Sequence, residues 1–235
     1  MNQLPIQLLR DRSAFWEYVR LQRLHWKDLL TMVAFVVIVC GLYGAVLAGW
    51  RSPLLSMYVA VKLPMLFMGT ISVVSLFNWM TATLLGSGLS MKTTIIMAFA
   101  SMTISCWILL SLIPVAILFL VTCVPQSGTS AELQYAHNTI LMTHIAILGI
   151  AGIAGNIALL KGLRNVIQIQ CSVNVLFFLW ISAFSFVGCQ MSWILRPFVG
   201  SPFYPVAFMR SDALQRNFYE YIFAEVIPYL LWGNK

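Results

Sequence analysis

Apolar residues in this chain gather into five long runs, 29–50, 63–85, 94–124, 139–160 and 169–195, divided by short polar stretches. A helix needs about 20 consecutive apolar residues to cross about 30 Å of hydrocarbon, so each run predicts one span. The expected fold class is therefore an all-α integral membrane protein, a bundle of about five transmembrane helices with amphipathic interfacial helices at both ends. The chain divides into residues 1–28, the bundle 29–195 and a tail 196–235.

Both ends carry patterns of their own. Within 1–28, Leu8, Phe15, Val19 and Trp26 fall on one helix face, with Arg20, Arg23 and Lys27 along a flank. An apolar stripe beside a basic flank predicts a helix lying in the headgroup region; a solvated helix docked on a partner is the other reading. At the far end, Arg196-Pro197 stops the last run, because the residue before a proline is pushed out of helical geometry. The stretch "PFVGSPFYP" then sets Phe198, Phe203 and Tyr204 among Pro197, Gly200 and Pro202. This predicts a rigid aromatic hook at headgroup level. After it, Phe218, Tyr219, Ile222, Phe223, Val226 and Leu230 predict a second amphipathic helix, N-capped by Ser211 or Asp212.

Inside the bundle, prolines and small residues refine the picture. Pro64 fits the first turn of a helix, where its missing N–H is not needed, so 54–62 reads as a short interfacial or re-entrant helix and the second span starts at the proline. Lys62 then snorkels to the interface, with a buried cation awaiting an anionic group as the rival reading. The run 94–124 exceeds one bilayer crossing and holds Pro114, which predicts one long tilted or kinked helix, with Ser101, Thr103, Ser105 and Ser111 available to satisfy freed carbonyls; a pair of half-helices is the other reading. Span four places Gly149, Ala151, Gly152 and Gly155 close together, a face on which another helix can pack closely.

Composition supports this class: 60% of the 235 residues are hydrophobic and 9% are charged. The net charge of +7 points to a membrane surface, not to nucleic acid. With five basic residues before position 29, the N-terminus does not read as a cleavable signal peptide, and the first span is retained. Placing it in the cytoplasm puts eight Lys and Arg inside and six outside, which predicts an N-terminus in and a C-terminus out under the positive-inside rule. Cys40, Cys106, Cys123, Cys171 and Cys189 all sit in or beside apolar runs and are expected to pack as small hydrophobes.

Candidate chemistry is sparse. None of the five runs contains Asp or Glu, the groups on which proton- and sodium-coupled transport usually relies. His144 shares a face with His137, but a third metal ligand is not visible, so His144 reads as a hydrogen-bonded interhelical residue and no metal or cofactor is expected. Asn78, Asn156, Asn174 and Gln190 are the other intramembrane polar groups, expected to face the bundle interior and fix helix register, or to line a headgroup or solute pocket. Phosphate-binding, dinucleotide and hydrolase motifs are missing.

The segments "GCQMSWILRPFVGSP", "FMRSDALQRNFYE", "VKLP" and "LLGSGLSMKTT" together resemble a group of uncharacterised bacterial multi-span integral membrane proteins, some labelled as actin-binding WH2 proteins, with a loose Yip1-like topology. The resemblance runs from "LLRDR" to "NFYE" and implies the bacterial inner membrane, without a defined activity. The leading expectation is a non-enzymatic scaffold or anchoring subunit of a larger membrane complex, whose partners are the lipid bilayer and other membrane subunits or a second copy. Arg196, Pro197, Phe198, Gly200, Pro202, Phe203 and Tyr204 are its candidate contacts. The alternative is a permease-like or lipid-handling protein; a third, weaker reading is an intramembrane enzyme using His144 or a cysteine.

Overall fold

The computed structural model describes residues 4–123, 129–167, 172–201, 205–210 and 213–232. Every regular element among them is helical. Two short helices, α1 (Leu4–Arg10) and α2 (Arg12–Arg20), precede α3 (Trp26–Ala48), α4 (Pro53–Leu84), α5 (Met91–Cys123), α6 (Ser130–Val166) and α7 (Val173–Leu195). The five long helices have the length and hydropathy to cross a membrane. Each touches the next in a closed circuit, α3 to α5 to α6 to α7 to α4 and back to α3, and α4 also meets α5 across it.

The spans begin and end where capping allows, not where hydropathy changes. Thr129 and Glu132 form a reciprocal capping box, with Thr129 N–H donating to Glu132 Oε2 at 2.7 Å and Glu132 N–H to Thr129 Oγ1 at 3.4 Å. This satisfies two orphan donors of the first turn, so α6 starts well ahead of the expected position 139. The second span likewise differs from expectation. Pro53, not Pro64, occupies the first turn, Ser52 accepts from Leu55 N–H at 3.1 Å, and the helix runs unbroken through Pro64. The expected separate helix at 54–62 is the first part of α4.

Close packing by α3 accompanies that continuity. A Cβ on Gly44 would lie 2.5 Å from the Val59 carbonyl oxygen, and one on Gly41 would lie 3.3 Å from that of Ala60. Ala60 is four residues before Pro64, so its carbonyl is the one that loses its usual N–H partner. The Gly41 and Gly44 pair therefore forms the tightest seam of the bundle's first hairpin, a contact whose spacing of three was visible in the first span. The run around Pro114 is a single helix, as expected.

On α6 the small residues separate. Ala151 and Gly155 face α5, where Ser105 Oγ donates to Ala151 O at 2.9 Å and Ser101 Oγ to Gly155 O at 2.8 Å. A Cβ on Gly155 would stand 2.1 Å from Ser105 Oγ, whereas one on Gly149 or Gly152 would meet nothing within 4 Å. Ser101 and Ser105, expected to serve Pro114, thus reach across to the neighbouring helix, while Thr103 and Ser111 bond to carbonyls of α5 itself. Hydrogen bonds of this kind in membrane bundles average about 0.6 kcal/mol.

The N-terminal segment is two helices broken at Asp11 and packed on the bundle. Leu8, Phe15 and Val19 are buried as one apolar stripe, but Trp26 is 64% exposed and belongs to α3. Trp16 lies on Gly162, where a Cβ would come within 2.5 Å of its ring. Midway along α5, Trp107 Nε1 donates to Pro5 O at 3.0 Å, so α1 reaches well up the bundle. The stripe that reads as membrane-facing is used to dock on α3, α5 and α6.

Two expectations follow. Gly155→Leu and Gly162→Leu should each lower the thermal-unfolding midpoint in detergent, with an overpacking cost of about 1–3 kcal/mol or more, while Gly149→Leu should leave it unchanged. Second, hydrogen bonds from Ala14 N–H and the Ser13 hydroxyl hold the Asp11 carboxyl below its ordinary 3.8. A depressed carboxylate stabilises above the unfolded value and loses that contribution as pH falls through the folded one. Amide-exchange protection at the start of α2 should therefore fall on acidification below about pH 4, and Asp11→Asn should flatten that pH dependence.

Candidate functional site: the clamped hook and two cavities

The tail after α7 turns back onto the α3–α4 hairpin and is held there through its own backbone. Lys62 Nζ donates to Pro197 O at 3.0 Å, Trp50 Nε1 to Val199 O at 2.7 Å, and Arg51 Nε to Ser201 O at 3.1 Å. The accepting carbonyls alternate along the chain, the spacing at which an extended strand presents successive groups to one side. Gly200, at φ +73°, lies so close to Leu55 that a Cβ would come within 2.4 Å of its Cδ2. Glycine is required there both by backbone conformation and by space.

Lys62 corrects the snorkelling expectation. Its side chain is fully buried, and the ammonium also stands 5.1 Å from the Phe208 ring centroid. An ammonium is costly to bury unless partners surround it. A carbonyl and an aromatic face supply them here. Tyr58 packs edge-on against the same Phe208 ring at 5.4 Å, which steadies it.

The described contact residues of the hook turn toward the protein. Arg196 ends α7 and its guanidinium lies 3.4 Å over the Trp193 ring. Phe198 is half-buried and packs on the core. Pro202, Phe203 and Tyr204 lie outside the described residues, as do the expected caps Ser211 and Asp212. The C-terminal helix begins later, at α8 (Phe218–Tyr221), capped by Asn217, and continues through a π-helical turn (Ile222–Val226) into α9 (Ile227–Trp232). Its first turn is docked antiparallel on α7: Phe186 O accepts from Tyr219 Oη at 2.6 Å, Gln190 Oε1 accepts from Phe218 N–H at 3.0 Å, and Trp193 Nε1 donates to Arg216 O at 2.8 Å. Gln190 thus joins the tail to α7; it does not fix register within the bundle.

Between hook and hairpin lies a cleft of about 560 Å³. Leu55, Pro197, Val206 and Met209 give it apolar walls, and Arg51 and Arg210 are its charged lining residues. Sequence reasoning missed both arginines. Both enter the sequence reading only among the six outside charges, and nothing local to either signals that about 160 positions of chain fold back to join them.

A second cavity, of about 310 Å³, lies among α4, α5, α6 and α7. It brings together two of the expected intramembrane amides, Asn78 and Asn156, with Gly152 in its wall. Asn78 is 5% exposed and its side-chain oxygen has no hydrogen-bond partner. A buried acceptor left unpaired costs about 1–3 kcal/mol. Asn174 lies elsewhere, exposed at the start of α7, where it accepts from Arg164 at 3.2 Å. His144 is the interhelical residue expected, bonded through Nδ1 to Tyr43 Oη at 2.8 Å. The Cys40 and Cys106 sulfurs lie 3.7 Å apart between α3 and α5, as free thiols within hydrogen-bond distance of each other. Among the described residues no group of His, Cys, Asp or Glu is arranged to hold a metal.

Compared with known proteins, the chain matches no family model, no curated protein and no solved structure.

The clamp is directly testable. Lys62→Met keeps the apolar stem but leaves Pro197 O without its donor, and Gly200→Ala collides with Leu55. Each should loosen the hook by about 1–3 kcal/mol, read as faster maleimide labelling of a Val199→Cys reporter, with the bundle's melting midpoint changed much less.

Proposed function

We propose that this protein is a non-enzymatic, lipid-handling membrane protein that holds an anionic phospholipid at the hook end of its bundle. The observation that carries the reading is the cleft of about 560 Å³, with apolar walls and Arg51 and Arg210 in its lining. Guanidinium groups match phosphate geometry with paired donors, and the apolar wall suits the first part of an acyl chain. Its position at the end of α3, the start of α4 and the end of α7 is where headgroups would lie if the five apolar helices cross a bilayer.

The scaffold expectation has less to draw on. It rests on the missing intramembrane carboxylates, the small-residue face of span four and two amphipathic surface helices. Gly155 and Ala151 are engaged with α5, α1 and α2 with the bundle, and the first turn of the C-terminal helix with α7, which leaves Gly149 and the apolar side chains of Phe223, Leu230 and Leu231 exposed. Surfaces already occupied within one chain contribute less to holding another. The proposal places the chain in a bacterial inner membrane with α1 and α2 on the cytoplasmic side. That location rests on the excess of Lys and Arg at that end and on the family resemblance.

The test is gentle-detergent purification followed by lipid extraction and mass spectrometry of everything that travels with the chain. A retained anionic phospholipid near one per chain is expected, falling several-fold in Arg51→Gln/Arg210→Gln while the melting midpoint is preserved. A stoichiometric protein partner with no defined lipid would overturn the proposal and restore the scaffold reading.

A further inference from the structure

The cavity among α4, α5, α6 and α7 shares no lining residue with the hook-end cleft, and its chemistry is different. Its volume of about 310 Å³ lies at the lower end of the range for small-molecule sites, about 300–1,000 Å³. Phe67, Ile71, Met102 and Leu109 represent its mainly apolar wall, and no charged side chain is among its described lining residues. A charged ligand would have no counter-ion there.

Its polar groups are few and mostly committed. Ser101 and Ser105 spend their protons on carbonyls of α6. Trp180 Nε1 donates at 3.1 Å to the backbone oxygen of Asn78, not to its side chain, and Thr81 Oγ1 bonds the same backbone oxygen at 3.0 Å. The Asn78 side-chain oxygen is left buried without a donor, on a residue that lines the cavity. Four helices converge on that position, and none of their described side chains supplies it with a proton.

From this geometry we infer that the cavity binds an uncharged amphiphile, an apolar chain carrying a hydroxyl that donates to Asn78 Oδ1. The hydroxyl completes the pairing that the helices leave open. The chain replaces hydrocarbon contacts along Phe67, Met102 and Leu109. Gly152 is part of the recognition: a Cβ there would meet nothing within 4 Å, so the glycine leaves room that a larger side chain would take up. The inference stands apart from the phospholipid reading, because Arg51 and Arg210 lie outside this cavity.

The experiment uses the full chain in nanodiscs and a pair of diazirine-bearing probes, a twelve-carbon alcohol and its methyl ether, with labelled peptides read by mass spectrometry. Labelling of α5, α6 and α7 peptides is expected, about three- to tenfold stronger for the alcohol. Asn78→Leu should erase the difference between the probes. Gly152→Leu should suppress labelling by both without lowering the melting midpoint, and Arg51→Gln/Arg210→Gln should leave labelling intact. Equal labelling of the wild-type protein by alcohol and ether would overturn the hydroxyl assignment, and labelling indifferent to Gly152→Leu would remove the site from this cavity. If Asn78→Leu does not fold, the probe pair on wild-type protein and the Gly152 variant still decide.

Discussion

In hydrocarbon there is no water to complete a hydrogen bond, so each polar group that an apolar helix carries inward must find its partner within the protein. Most of the internal architecture follows from that constraint. Hydroxyls along the spans bond back to the carbonyl one turn earlier, as Thr70 does to Leu66 and Thr103 to Phe99, or reach to the next helix, as Ser101 and Ser105 do to α6. His144 is bound to Tyr43. Each pairing removes a desolvation cost and in doing so fixes the rotation of one helix against another.

The same constraint explains the hook. A non-helical segment packed against a membrane bundle carries carbonyls with no regular partner, and a fully buried lysine has the opposite problem, a surplus of donors. Folding the tail onto the α3–α4 hairpin settles both: Lys62, Trp50 and Arg51 supply protons to Pro197, Val199 and Ser201. Glycine at position 200 lets the backbone approach closely enough for the contacts to form. The arginine-lined cleft is a by-product of that fold-back, since it exists only where hairpin and tail face one another.

Asn78 departs from the rule. Its backbone oxygen has donors at hydrogen-bond distance while its side-chain oxygen has none, and it opens on a cavity walled by four spans. Unpaired buried groups concentrate where function or a ligand completes the pairing. The two cavities thus differ in character, with two arginines in the lining at the hook end of the bundle and only uncharged side chains in the described lining of the one among α4, α5, α6 and α7.

The order of apolar runs by itself determined that five helices long enough to span a membrane would form, because helix length and hydropathy are local properties. It also marked the stop of α7 at Arg196-Pro197, while whether the run around Pro114 formed one helix or two half-helices was decided only by the structure. Boundaries were less legible where a polar capping box, as at Thr129 and Glu132, extends a helix beyond its apolar stretch. What faces what was decided only by the tertiary structure. Whether Lys62 turned outward or inward, whether Gly149 or Gly155 met a neighbour, and whether the stripe of α1 and α2 met lipid or protein all depend on which helices lie side by side. A helix pattern states which residues share a face, but the partner of that face is set by contacts between residues as far as 150 positions apart, which no local stretch encodes. Arg51 and Arg210 show this best: two isolated loop cations in sequence become one lining only after the tail folds back across the hairpin.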